Sequence, residues 1–179
     1  MGSTDPLGAL KESVVKVMTV SDSPDYEQPW QTLGAGPSTG SGAIVETPQG
    51  LHVLTNAHVV EDATFIEVRR EGQTRKTVAE VVGYGEACDL ALLSVEDSDF
   101  FEGAKPIPIG ELPSLGDPVT VLGFPIGGEQ LSVTEGVVSR IELTVYVQNE
   151  RNLLSLQIDA AINAGNSGGP VVADGRIVG

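Results

Sequence analysis

Apolar and polar residues alternate with a period near two through most of the chain, the spacing of strands that bury one face. Ser13 to Val20 alternates in this way, and Thr64 to Val68, Lys76 to Val82, Leu90 to Val95, Val119 to Gly123 and Leu153 to Ile158 are further short apolar-rich strand candidates. Leu131 to Ile141 predicts a longer strand, bent at Gly136 and extended by Leu143 to Val147. Gly42 to Val45 and Leu51 to Thr55 predict a hairpin closed by Thr47-Pro48-Gln49-Gly50. A helical turn is expected over Leu7 to Lys11. Short strands separated by Gly and Pro predict an all-β barrel or sandwich rather than a parallel α/β sheet. An acid- and proline-rich linker, roughly Glu96 to Pro113, divides the pattern into two halves, and its run of Glu96, Asp97, Asp99 and Glu102 predicts a solvated surface.

One stretch departs from the alternation. Asp159 to Pro170 sits between the apolar runs Leu153–Ile158 and Val171–Ala173, and its Gly165, Gly168 and Gly169 crowd around Ser167. Residues of these types also make ordinary turns. Glycine additionally lets the backbone come close to a ligand, so that consecutive N–H groups can converge on one point, as an oxyanion hole requires. A serine hydroxyl is a weak nucleophile and needs a base and a group to orient that base. Of the two histidines, His52 occupies an alternating strand position and is expected to be a solvated or satisfied side chain. His58 lies where a strand gives way to a short helical turn, in Thr55-Asn56-Ala57-His58-Val59-Val60. For the orienting acid, Asp89 stands against the apolar run Leu90-Ala91-Leu92-Leu93, and acids in such places are rarely buried unless paired. The chain order His58, Asp89, Ser167 is one of the known orders of a Ser-His-Asp triad.

Thr55-Asn56-Ala57-His58-Val59-Val60, Cys88-Asp89-Leu90-Ala91-Leu92-Leu93 and Gly165-Asn166-Ser167-Gly168-Gly169-Pro170 together resemble the protease domain of the HtrA/Deg serine proteases, from about Ser13 to Gly179. Asn166 before the serine fits that family. Pro29-Trp30-Gln31, Phe124 to Gly128 and Ser132 to Ser139 look most like its plant Deg subgroup and bacterial relatives. The resemblance implies a chymotrypsin/trypsin-like double β-barrel with its site in the cleft. An N-terminal segment (1–12) would precede the protease domain (13–179), made of a first barrel (13–95), a linker (96–115) and an incomplete second barrel (116–179), with no PDZ domain. It implies a serine endopeptidase acting on unfolded or damaged polypeptides in protein quality control; the alternative is a peptide-binding or chaperone module with little proteolysis. His58, Asp89 and Ser167 would be catalytic. The turn Gly165-Asn166-Ser167 would form the oxyanion hole, with the N–H groups of Gly165 and Ser167 as donors. Ala161, Ile162, Asn163 and Ala164 would bind substrate in a shallow apolar pocket suited to small aliphatic residues. Tyr26 and Trp30 match the segment through which such proteases form trimers, although a lone tryptophan is more commonly a core residue. The family's pattern continues beyond Gly179, so this chain is expected to be a piece of a longer protein, weak in activity alone and prone to associate through an open sheet edge.

Composition narrows the remaining classes. A formal charge of −15 opposes nucleic-acid binding, because phosphates would be repelled. No run of about eighteen apolar residues predicts a membrane span. Met1 to Pro6 has neither the basic nor the apolar region of a signal peptide, which leaves the compartment open. One cysteine, Cys88, excludes an internal disulfide. Gly34 to Gly42 is glycine-rich but lacks the Gly-Lys-Ser/Thr ending of a phosphate loop. A metal site of His52, His58 and Cys88 fails on spacing and ligand number, and no cofactor is expected.

Overall fold

The computed structural model describes residues 6–146, 148 and 150–179. Val147, the end of the expected extension past Leu143, and the first five residues of the segment read for a signal peptide lie outside them. Among the described residues a short helix, α1 (Pro6–Lys11), precedes eleven strands. The first six are β1 (Val14–Ser21), β2 (Gly36–Thr47), β3 (Gly50–Thr55), β4 (Ala63–Arg70), β5 (Thr77–Gly85) and β6 (Leu90–Val95). They form a closed antiparallel barrel in the order β1-β2-β3-β6-β5-β4, β4 closing back onto β1. The remainder, β7 (Pro118–Gly123), β8 (Ser132–Val145), β9 (Asn152–Ile158), β10 (Val171–Ala173) and β11 (Arg176–Ile177), make an open sheet ordered β11-β10-β7-β8-β9. The chain is thus nearly all-β, as the strand pattern predicts, and its barrel beside a half-barrel is what the family resemblance implies.

The two units share β1. Its side chains alternate between faces, so Val15 and Val17 enter the barrel core with Ile44, Val53, Val68 and Leu93. Val14 faces the other way and packs with Leu122, Phe124 and Val172 of the second unit. A strand buried on both faces should be apolar throughout, and Lys16 breaks that rule. Its ammonium reaches across to the β7–β8 loop, donating to Gly128 O at 2.8 Å and to Glu129 Oε1 at 2.8 Å. Arg69 of β4 holds the same loop through Glu129 O and Oε2. Glu129 is exposed, and its carboxyl is held below the usual range first by the Lys16 hydrogen bond and then by the Lys16 charge. A depressed carboxylate contributes stability above its unfolded pKa and loses it as pH falls through its folded value. Lys16→Met removes a buried donor from Gly128 O. It should therefore cost about 1–3 kcal/mol at neutral pH, and the deficit against the parent protein should narrow in acid as Glu129 protonates. Urea unfolding at pH 7 and pH 3 checks both points; an equal deficit at the two values would show that Glu129 plays no part.

Three expectations need correction. β2 begins at Gly36 rather than Gly42, because the glycine-rich run pairs along β1 from Ser21↔Gly36 to Val14↔Ala43. Trp30 is 79% exposed and Tyr26 89% exposed, so neither is a core residue. The acidic connecting segment is solvated at Glu96, Asp99 and Glu102, yet Asp97 is half-buried, caps a 3₁₀ turn and pairs with Arg75. Phe100 and Ile107 are fully buried within the same segment. Ile107 N–H donates to Ile44 O and Ile177 N–H to Pro108 O, so this segment stitches the sheet to the barrel.

Candidate active site

His58 stands in a 3₁₀ turn, Ala57–Val59, that follows β3. Ala57 and Val59 are buried and anchor the turn, which leaves the imidazole between them partly open to solvent. Asp89 closes a second 3₁₀ turn, Glu86–Cys88, in the left-handed region at φ +53°. Aspartate tolerates that region better than most residues, and the kink tucks the carboxylate under His58 instead of leaving it on β6. Asp89 is 3% exposed. Its Oδ1 accepts the His58 backbone N–H at 2.8 Å, and its Oδ2 accepts from His58 Nδ1 at 2.7 Å. With the proton fixed on Nδ1, the neutral ring presents Nε2 as an acceptor. Oδ2 also accepts the Tyr146 hydroxyl at 2.6 Å.

Ser167 is exposed at the tip of a double turn. Asn166 N–H donates to Asn163 O at 3.1 Å, and Gly165 holds φ +97°, the conformation that a type II turn demands of its third residue. Gly169 N–H then donates to Asn166 O at 2.8 Å, across Gly168 at φ +82°. Ile126 N–H holds Ala164 O at 2.8 Å. In a trans peptide C=O and N–H point oppositely, so this bond turns Gly165 N–H away from Ile126. Among the described residues neither Gly165 N–H nor Ser167 N–H has a protein acceptor, whereas Asn166 N–H is already used.

The serine turn is fastened to the barrel by residues that sequence reasoning did not single out. Ser41, wholly buried, donates its N–H to Ser167 O at 2.8 Å and its Oγ to Gly165 O at 2.9 Å, and accepts Phe124 N–H at 2.8 Å. Asn56 bridges the two halves of the candidate site: Nδ2 donates to Asp89 O and Oδ1 accepts Gly168 N–H, both at 2.7 Å. The flanks of Ser41 carry a signal in retrospect. A Cβ on Gly40 would meet Val59, and one on Gly42 would meet Val53 and Leu54 O, so both must be glycine. The structure therefore joins His58 to Asp89 directly and the Ser167 turn to the histidine strand through Asn56; among the described residues Ser167 Oγ makes no hydrogen bond. Ala161, Ile162, Asn163 and Ala164 are all exposed beside the turn. His52 Nδ1 meets Thr47 Oγ1 and Gly50 O at 3.1 Å, away from this site. Among the described residues no cluster of His, Cys, Asp and Glu could hold a metal ion.

The family model of the trypsin-like peptidase domain matches residues 40–179. Protease Do-like 2, chloroplastic, from Arabidopsis thaliana is 50% identical over 175 residues, 96% of this chain and 28% of that protein. Putative protease Do-like 3, mitochondrial, from the same plant is 45% identical over 177 residues, 99% of this chain and 31% of that one. Among solved structures, the HtrA-type protease AlgW with tripeptide superposes with a TM-score of 0.76 at 26% identity, covering 99% of this chain and 52% of that one. The chain thus spans less than a third of the length of these two curated relatives.

Proposed function

The chain belongs to the trypsin-like peptidase domain family, among the Deg/HtrA serine proteases, and on that premise we propose that it hydrolyses peptide bonds through His58, Asp89 and Ser167. The observation that carries the assignment is the grip of Asp89 on both His58 Nδ1 and His58 N–H, which fixes the ring and its tautomer. Ser167 Oγ attacks the scissile carbonyl carbon while Nε2 takes its proton. The tetrahedral oxyanion lies against the N–H groups of Gly165 and Ser167, each such donor being worth about 2.7–4 kcal/mol. Collapse breaks the C–N bond, and the amine leaves with the proton from Nε2. Water then repeats the sequence on the acyl-enzyme, with His58 again as base, and releases the acid. A fluorophosphonate probe tests the nucleophile: it should label the parent protein and not Ser167→Ala, and casein cleavage should vanish in that variant. Undiminished labelling or proteolysis would refute the assignment.

The substrates in this reading are unfolded polypeptides met in protein quality control. No acid stands among Ala161, Ile162, Asn163 and Ala164, and Ile162 adds apolar bulk, which supports small aliphatic residues on the acyl side of the cut. Cleavage-site profiling should return Val, Ala or Ile there; a preference for Arg, Lys or Phe would exclude these residues as the specificity wall. In this reading the exposed rings of Tyr26 and Trp30 are free to join chains, and the number three is what the family resemblance implies. Light scattering should give three chains or a multiple, lowered in Trp30→Ala.

A further inference from the structure

We propose that Tyr146 is a positioning residue for this site: its phenol holds the Asp89 carboxylate in register with His58 and competes with the imidazole for the charge of Asp89 Oδ2. The inference rests on the triad reading above, since it matters for catalysis only if His58 and Asp89 act in the reaction.

Tyr146 directly follows β8, at the mouth of the β8–β9 hairpin. Its N–H donates to Arg151 O and its carbonyl accepts Glu150 N–H, both at 2.8 Å, so the residue is clamped by its own backbone. From there the ring crosses from the second unit to the first and delivers its hydroxyl to Asp89 Oδ2. That carboxylate thus receives three protein donors: His58 N–H on Oδ1, and His58 Nδ1 and the Tyr146 hydroxyl together on Oδ2. Two donors on one oxygen compete for its charge. The bond from Tyr146 weakens the acceptor that stabilises a protonated imidazole. Burial first, and then the hydrogen bond and the charge of Asp89, push the phenol well above its ordinary pKa. It therefore stays neutral and remains a donor wherever the enzyme works.

Other groups surround the pair. Glu61 and Asp62 follow the His58 turn, Tyr84 comes from β5, Glu86 from the turn before Asp89, and Gln148 from the hairpin loop. All are retained in Tyr146→Phe, so a difference between the two proteins isolates the hydroxyl. A ring that merely filled space would leave the titration of His58 unmoved, because phenylalanine fills nearly the same volume.

The experiment follows the His58 ring proton by NMR against pH in Ser167→Ala and in Ser167→Ala/Tyr146→Phe, with His52→Gln to assign the other histidine. Losing the competing donor should raise the His58 midpoint by about half a unit or more. In the proteins that retain Ser167, the acid limb of kcat/KM should move to higher pH by the same amount. A fluorotyrosine placed at position 146 has a more acidic hydroxyl and a stronger bond, so its midpoint should move the opposite way. That second variant keeps the test decisive if Tyr146→Phe folds poorly. An unchanged midpoint in a folded variant overturns the proposal even if the enzyme is active. A shifted midpoint in a protein whose parent neither cleaves casein nor takes the fluorophosphonate label upholds the Tyr146–Asp89–His58 coupling and sinks the triad reading instead.

Discussion

Asp89→Asn should give a folded protein whose kcat is about 10⁴-fold below that of the parent. The reason lies in how the carboxylate is used. Both of its oxygens accept: one takes His58 N–H, the other takes His58 Nδ1 and Tyr146 OH. An asparagine amide offers one oxygen and one NH₂. If its oxygen faces the backbone N–H, its NH₂ faces Nδ1 and forces the ring proton onto Nε2, where the ring can no longer take the Ser167 proton. If it flips, NH₂ confronts a backbone donor at 2.8 Å and two N–H groups are opposed. Neither orientation keeps the productive tautomer without a lost hydrogen bond. Steady-state kinetics read the loss, and circular dichroism with a thermal melt confirms the fold. A fall of less than about tenfold would mean that the acid does not set the tautomer.

The alternation along the chain made the strands legible because most of them bury a single face, as β3 and β6 do. β2 was less legible. Its glycine-rich start has no apolar period of its own and is strand only because β1 lies alongside. The histidine, aspartate and serine were legible from local motifs, since each sits at a turn whose residue types are dictated by its geometry. Asp89 looks from its neighbours like the first residue of an apolar strand; the left-handed backbone that turns it inward has no signature beyond the residue type. Tyr146 was not legible at all, and Ser41 only through the two glycines that flank it. Ser41 meets Gly165 across 124 positions of sequence, and Tyr146 meets Asp89 across 57. No local pattern encodes contacts that exist only once two units have packed. The same holds for Lys16, whose charge in an apolar strand makes sense only beside Gly128 and Glu129.

Gly168→Ala should be severely damaging. Gly168 sits at φ +82°, and an added Cβ would overlap the carbonyl oxygen of Ser41 and the hydroxyl of Thr55, with Asn56 N at 3.1 Å. These are not free ends of side chains that could swing aside. Thr55 Oγ1 donates to Ser41 O at 2.7 Å, and Ser41 in turn holds both Gly165 O and Ser167 O. The left-handed conformation costs about 1–2 kcal/mol for a residue with a Cβ, and forcing a methyl into packed backbone adds about 1–3 kcal/mol. The turn can relieve the overlap only by moving off the barrel, which breaks Gly168 N–H to Asn56 Oδ1 and carries Ser167 away from His58. A displacement of about 1 Å at a reacting atom is enough for a loss of about 10²-fold. Gly175 supplies the comparison: it has φ +75° but nothing within 4 Å of an added Cβ. Gly175→Ala should therefore show the conformational cost alone, with a small fall in melting temperature and activity near that of the parent. Thermal melts and kcat/KM of the two variants separate the contributions. Equal losses in both would mean that the contact with Ser41 and Thr55 is soft and that the serine turn is not held by the barrel.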